Sequence, residues 1–144
     1  MGKLIIYIAL IFKKQKREIR IIMGYGYRES CRELFKELKI LTHSSQYIFS
    51  LLLFVVNNRY NFVSHGVYHN INAKWKNDLH LPQVSLAMYQ KGVYYSGIRI
   101  FYGLPKAIKD ISSKPKKFKI ALKHNLLTHS FYSLDEFFLA NSDV

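Results

Sequence analysis

Catalysis and metal binding need carboxylates, imidazoles or thiolates gathered at one point, and this sequence distributes them singly. Its nine acidic residues are Glu18, Glu29, Glu33, Glu37, Asp78, Asp110, Asp135, Glu136 and Asp143, spread over 144 residues. Two-cation polymerase or nuclease chemistry needs several carboxylates together. Only Asp135 and Glu136 adjoin, and after Ser133-Leu134 they read as the acidic first turn of a helix. His65 and His69 stand four apart in HGVYH. On a helix they would share a face, but Gly66 and Val67 lie between them, no Glu follows His65 and no cysteine is near, so they read as loop histidines. Cys31 is the one cysteine. It excludes an intrachain disulfide and a thiolate-rich metal site, and its apolar helical spacing makes it a small buried hydrophobe rather than a nucleophile. Gly24-Tyr25-Gly26 lacks the third glycine of a dinucleotide loop and follows no strand, so it is a helix stop. There is no phosphate loop and no nucleophile elbow. The expectation is a chain without catalysis, cofactor or small-molecule substrate.

Cationic side chains are the chemistry that remains. Lys and Arg number 22 against nine acids, a formal net charge of +13. That excess favours polyanionic partners, nucleic acid before an anionic membrane; a basic surface without a dedicated partner is the plainer reading. Three groups stand out. Lys13, Lys14, Lys16, Arg17 and Arg20 follow an apolar start, and Lys74-Trp75-Lys76 places an aromatic ring between cations. Lys114, Lys116, Lys117, Lys119 and Lys123 lie in a stretch, residues 106–124, with seven Lys and one Asp. Such side chains would contact phosphates and carry no sequence information, while Trp75 could stack a base or fold back on the protein.

The elements that must carry these groups read as helices. The composition, 49% hydrophobic, supports one domain with a modest core and excludes disorder over the whole chain. Residues 1–12, MGKLIIYIALIF, are apolar after Lys3 but too short to span a bilayer and lack a signal-peptide cleavage pattern; they are expected to form the buried first turns of a helix reaching Met23. Phe12, Ile19, Ile22 and Met23 would form its inner face, with Lys and Arg opposite. A second helix is expected over 28–41, with Cys31, Leu34, Phe35 and Leu38 inward. A third, over 45–57, capped by Thr42 or Ser44, is apolar nearly all round and so central. Residues 58–91 read as a long Asn- and His-rich loop. Residues 92–132 then organise the remainder: a helix ending near Gly103, a short helix after Pro105, and a basic helix capped by Ser112 or Ser113 with Pro115 at its start. Phe118, Ala121, Leu122 and Leu126 would face inward, packing on residues 47–56. A short helix from Ser133 closes the chain. The expected fold class is all-α, an irregular bundle of about five to six helices. It forms a single domain made of an atypical apolar leader (1–11), a helical part (12–57), the loop (58–91) and a helical tail (92–140).

Several motifs recur together in one known family. Phe12, Gln15-Lys16, Ile19-Arg20-Ile21-Ile22, Cys31, Leu34-Phe35, Leu38, Ile40-Leu41 and Gln46-Tyr47-Ile48 resemble, in order, the region after the polymerase core in LINE-type (non-LTR) retrotransposon reverse transcriptases of the jockey-like, insect kind. LHLP at 79–82, YQKGVYYSGIRIF at 89–101, LPKAIKD, PKKFKIALK and LLTHSFYSLDEF resemble the same family's C-terminal end. The resemblance covers about residues 12–138. It departs at Ala73-Lys74, where the family has Thr-Arg, and at Tyr102, where it has Asn. The family's endonuclease and polymerase palm, with its paired aspartates, have no counterpart here. The resemblance implies a truncated, non-catalytic thumb-and-tail fragment of an RNA-directed DNA polymerase that grips nucleic acid. Its expected partner is an RNA or DNA backbone rather than a membrane, and its expected place is intracellular, in cytoplasm or nucleus, not secreted. Two other readings stand beside it: a small basic protein held at a membrane surface by residues 1–17, and a pseudogene product without selected function.

Overall fold

The computed structural model describes residues 2–58 and 93–142, which form seven helices and no strand. In order they are α1 (Gly2–Met23), α2 (Arg32–Glu37), α3 (His43–Asn57), α4 (Val93–Tyr102), α5 (Lys106–Asp110), α6 (Pro115–His129) and α7 (Leu134–Asn141). The fold is all-α as the periodicity requires, with seven helices among the described residues where about five to six were expected. Apart from Asn58, the C-cap of α3, the expected central loop lies outside the described residues. So do His65, His69, Lys74, Trp75 and Lys76.

The main core is the packing of α4 and α6 on α3. Ile48, Leu51, Leu52, Val55 and Val56 of α3 meet Ile98, Ile100 and Phe101 of α4, Phe118, Leu122 and Leu126 of α6, and Phe137 of α7. These α3 positions lie within the expected docking stretch 47–56. Gly97 sets how closely α3 and α4 approach: a Cβ there would stand 2.6 Å from Val55 Cγ2. The third helix is central but not wholly enclosed, since Tyr47 and Phe54 keep 44% and 46% exposure. Its cap is Thr42, not Ser44: Thr42 Oγ1 accepts from the Ser45 backbone N–H and donates to the Phe131 carbonyl. Ser44 instead donates to the Tyr132 carbonyl at 2.9 Å.

A smaller cluster joins α1 and α2. It buries Ile19, Cys31, Leu34 and Phe35, with Phe12, Met23, Leu38 and Tyr132 packed on it. Cys31 is the buried hydrophobe expected, its Sγ 3.5 Å from the Lys16 carbonyl. Gln15 fastens α1 to the start of α3, its side-chain amide donating to the Leu41 carbonyl and accepting from the His43 N–H, each at 3.0 Å.

Four expectations are corrected. Residues 6–11 of α1 are not buried: Ile6, Tyr7, Ile8, Leu10 and Ile11 are exposed, because α1 meets α2 and α3 through Phe12 and the turns after it. Ile22 also faces outward, leaving Phe12, Ile19 and Met23 inside. The second helix is Arg32–Glu37, not 28–41. Lys39 ends it in the left-handed region, φ 54°, with its N–H on the Lys36 carbonyl and the Ile40 N–H on the Phe35 carbonyl. That is the doubly bonded helix stop glycine normally supplies, and Gly24, φ 69°, supplies it for α1. Lastly, neither Ser112 nor Ser113 caps α6. Its N-cap is Lys114, without a side-chain cap bond, and Pro115 holds the first turn, whose missing N–H needs no partner. On the inner face of α6, Phe118, Leu122 and Leu126 are buried and Ala121 only half so.

Candidate nucleic-acid interface

The cationic positions separate into two kinds. On α1, Lys13, Lys14 and Arg17 are exposed, whereas Lys16 and Arg20 are half-buried and serve the fold. Lys16 Nζ stands 4.7 Å from the Phe12 ring centroid and 5.6 Å from that of Tyr132, within cation–π range. Arg20 Nε donates to the Glu29 carbonyl at 2.8 Å, pinning the turn between α1 and α2. The expectation that all five α1 cations oppose the core is therefore corrected for these two. Helical spacing puts them away from the apolar stripe, but neither the Tyr132 ring nor the Glu29 carbonyl lies within a turn of α1 along the chain.

On α6 the arrangement is the expected one. Lys114, Lys116, Lys117, Lys119 and Lys123 are all exposed, opposite Phe118, Leu122 and Leu126. Lys114, Lys116 and Lys117 crowd the helix N-terminus, where the dipole already places positive charge and where no acid stands in the first turn. That placement works against the helix. The opposite choice is made in α7, whose first turn carries Asp135 and Glu136 and whose cap Ser133 accepts from the Glu136 N–H at 3.2 Å.

Sequence reasoning missed two contributors. The C-terminal end of α2 packs beside α6, and an open groove of about 590 Å³ runs between them, lined by Lys36, Lys39, Ile120, Lys123, His124, Leu127 and Thr128. Lys36 and Lys39 thereby stand across the groove from Lys123 of α6. Lys36 also reaches Glu33 at 3.1 Å, an exposed pair that solvent weakens. Both lysines were legible as charged positions of α2, but only the packing of α2 on α6 shows which surface they join.

A second polar centre fixes α2 in place. Glu136 binds Arg32 with both carboxylate oxygens, each at 3.1 Å, and accepts the Tyr132 N–H at 2.9 Å. The Arg32 hydrogen bonds hold the Glu136 carboxyl below its usual range, against a smaller opposing effect of desolvation. The same bonds raise Arg32, whose guanidinium lies 4.2 Å from the Tyr132 ring centroid. Burial raises the Tyr132 hydroxyl. This cluster is structural: its members satisfy one another.

Among the described residues, no three His, Cys, Asp or Glu side chains are placed to hold a metal ion. Nor, among them, is any helix long and apolar enough to cross a membrane. Comparison with protein-family models, with curated proteins and with solved structures finds no match to this chain.

Proposed function

We propose that this chain is a non-catalytic helical module that grips the phosphate backbone of RNA or DNA, equivalent to the thumb and tail of a LINE-type reverse transcriptase. The observation that carries the nucleic-acid part is the lysine surface: Lys114, Lys116, Lys117, Lys119 and Lys123 are exposed on α6 and its N-cap, and Lys123 shares a groove with Lys36 of α2 and Lys39 just after it. A cationic face set against the α6 dipole does not stabilise that helix. It suits phosphates, which relieve the repulsion as they bind.

The retrotransposon part rests on the resemblance alone. Its N-terminal motif residues, Phe12, Gln15, Lys16, Ile19, Cys31, Leu34, Phe35 and Leu38, are the ones that pack α1 on α2 and tie α1 to α3. They specify a fold, and the function is carried by the lysines.

The test is binding of the full chain to single- and double-stranded oligonucleotides as salt is varied. Neutralising about six phosphates should lose on the order of 10³-fold in affinity between 50 and 200 mM salt. Lys116→Glu, Lys119→Glu and Lys123→Glu together should flatten that dependence without lowering the thermal melt, since Lys116→Glu also places an acid in the first turn of α6. A salt-independent affinity, or full binding by the triple variant, overturns the proposal.

A further inference from the structure

The lysine face leaves the first turns of α1 unexplained. Residues 6–11 are exposed on every side of the helix, with Ile6 and Tyr7 above 59%. A soluble helix shows one apolar stripe and a polar face. Residues 4–12, LIIYIALIF, hold no polar side chain except the Tyr7 hydroxyl. Exposed apolar surface of this extent marks an interaction site, and nucleic acid offers nothing for aliphatic side chains arranged around a helix.

Charge decides the occupant. Lys3 precedes the segment, and Lys13, Lys14, Lys16 and Arg17 follow it. These five cations are met by no acid before Glu18. A second copy would bring two such cationic segments together, with like charge at both ends in either orientation. An anionic lipid surface meets both features, accepting the aliphatic side chains below the headgroups and the cations among them. The length agrees. Nine residues at 1.5 Å each span about 13 Å, less than half a bilayer's hydrocarbon core. The segment can lie submerged in one leaflet but cannot cross.

We infer that residues 6–12 of α1 form an in-plane anchor for anionic membranes, with the exposed Lys13, Lys14 and Arg17 reaching up to the headgroups. The anchor is separate from the lysine face of α6, so one chain carries a lipid-binding and a polyanion-binding element on different helices. Phe12 belongs to both the anchor and the α1–α2 cluster, so its rotation into lipid is limited and insertion centres on Ile6 to Ile11.

The experiment is flotation of the full chain with vesicles of phosphatidylcholine mixed with phosphatidylserine, and of phosphatidylcholine alone. The wild type should float with the anionic vesicles and weakly or not at all with the neutral ones. Ile8→Asp with Ile11→Asp should cut partitioning by more than about tenfold, since each change removes a buried aliphatic group and adds a charge. Both positions are exposed, so the thermal melt and the oligonucleotide affinity should be unchanged. Lys13→Glu with Lys14→Glu should weaken anionic binding without removing helicity. Equal flotation of Ile8→Asp/Ile11→Asp and wild type overturns the inference, because charge alone would then account for adsorption. Failure of the wild type to float overturns it too. So does a lipid-free dimer that Ile8→Asp/Ile11→Asp converts to monomer, which would make the second copy the occupant.

Discussion

Replacing Gly97 by alanine sets two physical effects against each other. Gly97 lies inside α4, and by helix propensity alone the substitution should stabilise by about 1 kcal/mol. Packing says the reverse. The new Cβ would stand 2.6 Å from Val55 Cγ2 and 3.7 Å from Leu51 Cδ1, where real Cβ atoms do not approach below 3.0 Å. Val55 is 1% exposed on the central helix, and its branched side chain has one comfortable rotamer there, so it cannot turn away. Overpacking of this kind costs about 1–3 kcal/mol. The expected net effect is destabilisation by about 1 kcal/mol, more if α3 and α4 must separate. Val55→Ala alone should cost about 1–3 kcal/mol through the lost methyls and the gap they leave. In the Val55→Ala background the obstruction is gone, and Gly97→Ala should become neutral or stabilising by up to about 1 kcal/mol. The coupling between the two sites should therefore be about 1–2 kcal/mol in favour of the double variant. Urea unfolding followed by helical ellipticity measures all four proteins. If Gly97→Ala stabilises the wild type, or has the same effect in both backgrounds, the close approach of α3 and α4 is not as described.

Three further outcomes follow from named contacts. Lys39→Gly should stabilise by up to about 1 kcal/mol in the same unfolding assay, because a side chain at positive φ is strained and glycine is not; a loss of stability would argue against the left-handed stop of α2. Gln15→Ala should cost about 1–3 kcal/mol by leaving the Leu41 carbonyl and His43 N–H without their partner, and amide exchange at His43 should rise. Glu136 carries a depressed carboxyl pKa, so its stabilisation is present above the unfolded-state value and is lost as pH falls through the folded-state value. The melting-temperature gap between wild type and Glu136→Gln should therefore be widest near neutral pH and close on acidification; a gap constant with pH would remove the ion pair from the explanation.

The main core was legible because α3, α4 and α6 carry apolar residues at helical spacing: Phe118, Leu122 and Leu126 recur every fourth residue and are buried as that spacing demands. The start of α1 was misread for the same physical reason that others succeeded. Apolar on every side, it has no stripe to say which face is covered, or whether any is. The end of α2 was hidden by a lysine in a position where glycine is the usual signal. The lysines of α6 were visible as a charged face, but that Lys36 and Lys39 stand across a groove from Lys123 depends on how α2 packs. Lys16 and Arg20 looked like their exposed neighbours because Tyr132 and Glu29, which engage them, lie beyond their own helix.

The position of Tyr132 bears on the order in which the chain can mature. Its ring packs edge-on to Phe12 at 4.8 Å and to Phe35 at 6.4 Å, while the neighbouring carbonyls of Phe131 and Tyr132 accept from Thr42 and Ser44. Arg32 waits on Glu136, 104 residues further along. During synthesis α1 and α2 emerge before Tyr132, so their aromatic cluster lacks this ring until the chain through residue 132 has left the ribosome. α1 and α2 are thus secured by a contact made well after their own synthesis, and a chain stopped before Tyr132 should present them to proteases. Limited proteolysis of such a truncation, read at Phe12 and Phe35, would reveal whether the carboxyl end serves as the fastening of the amino end.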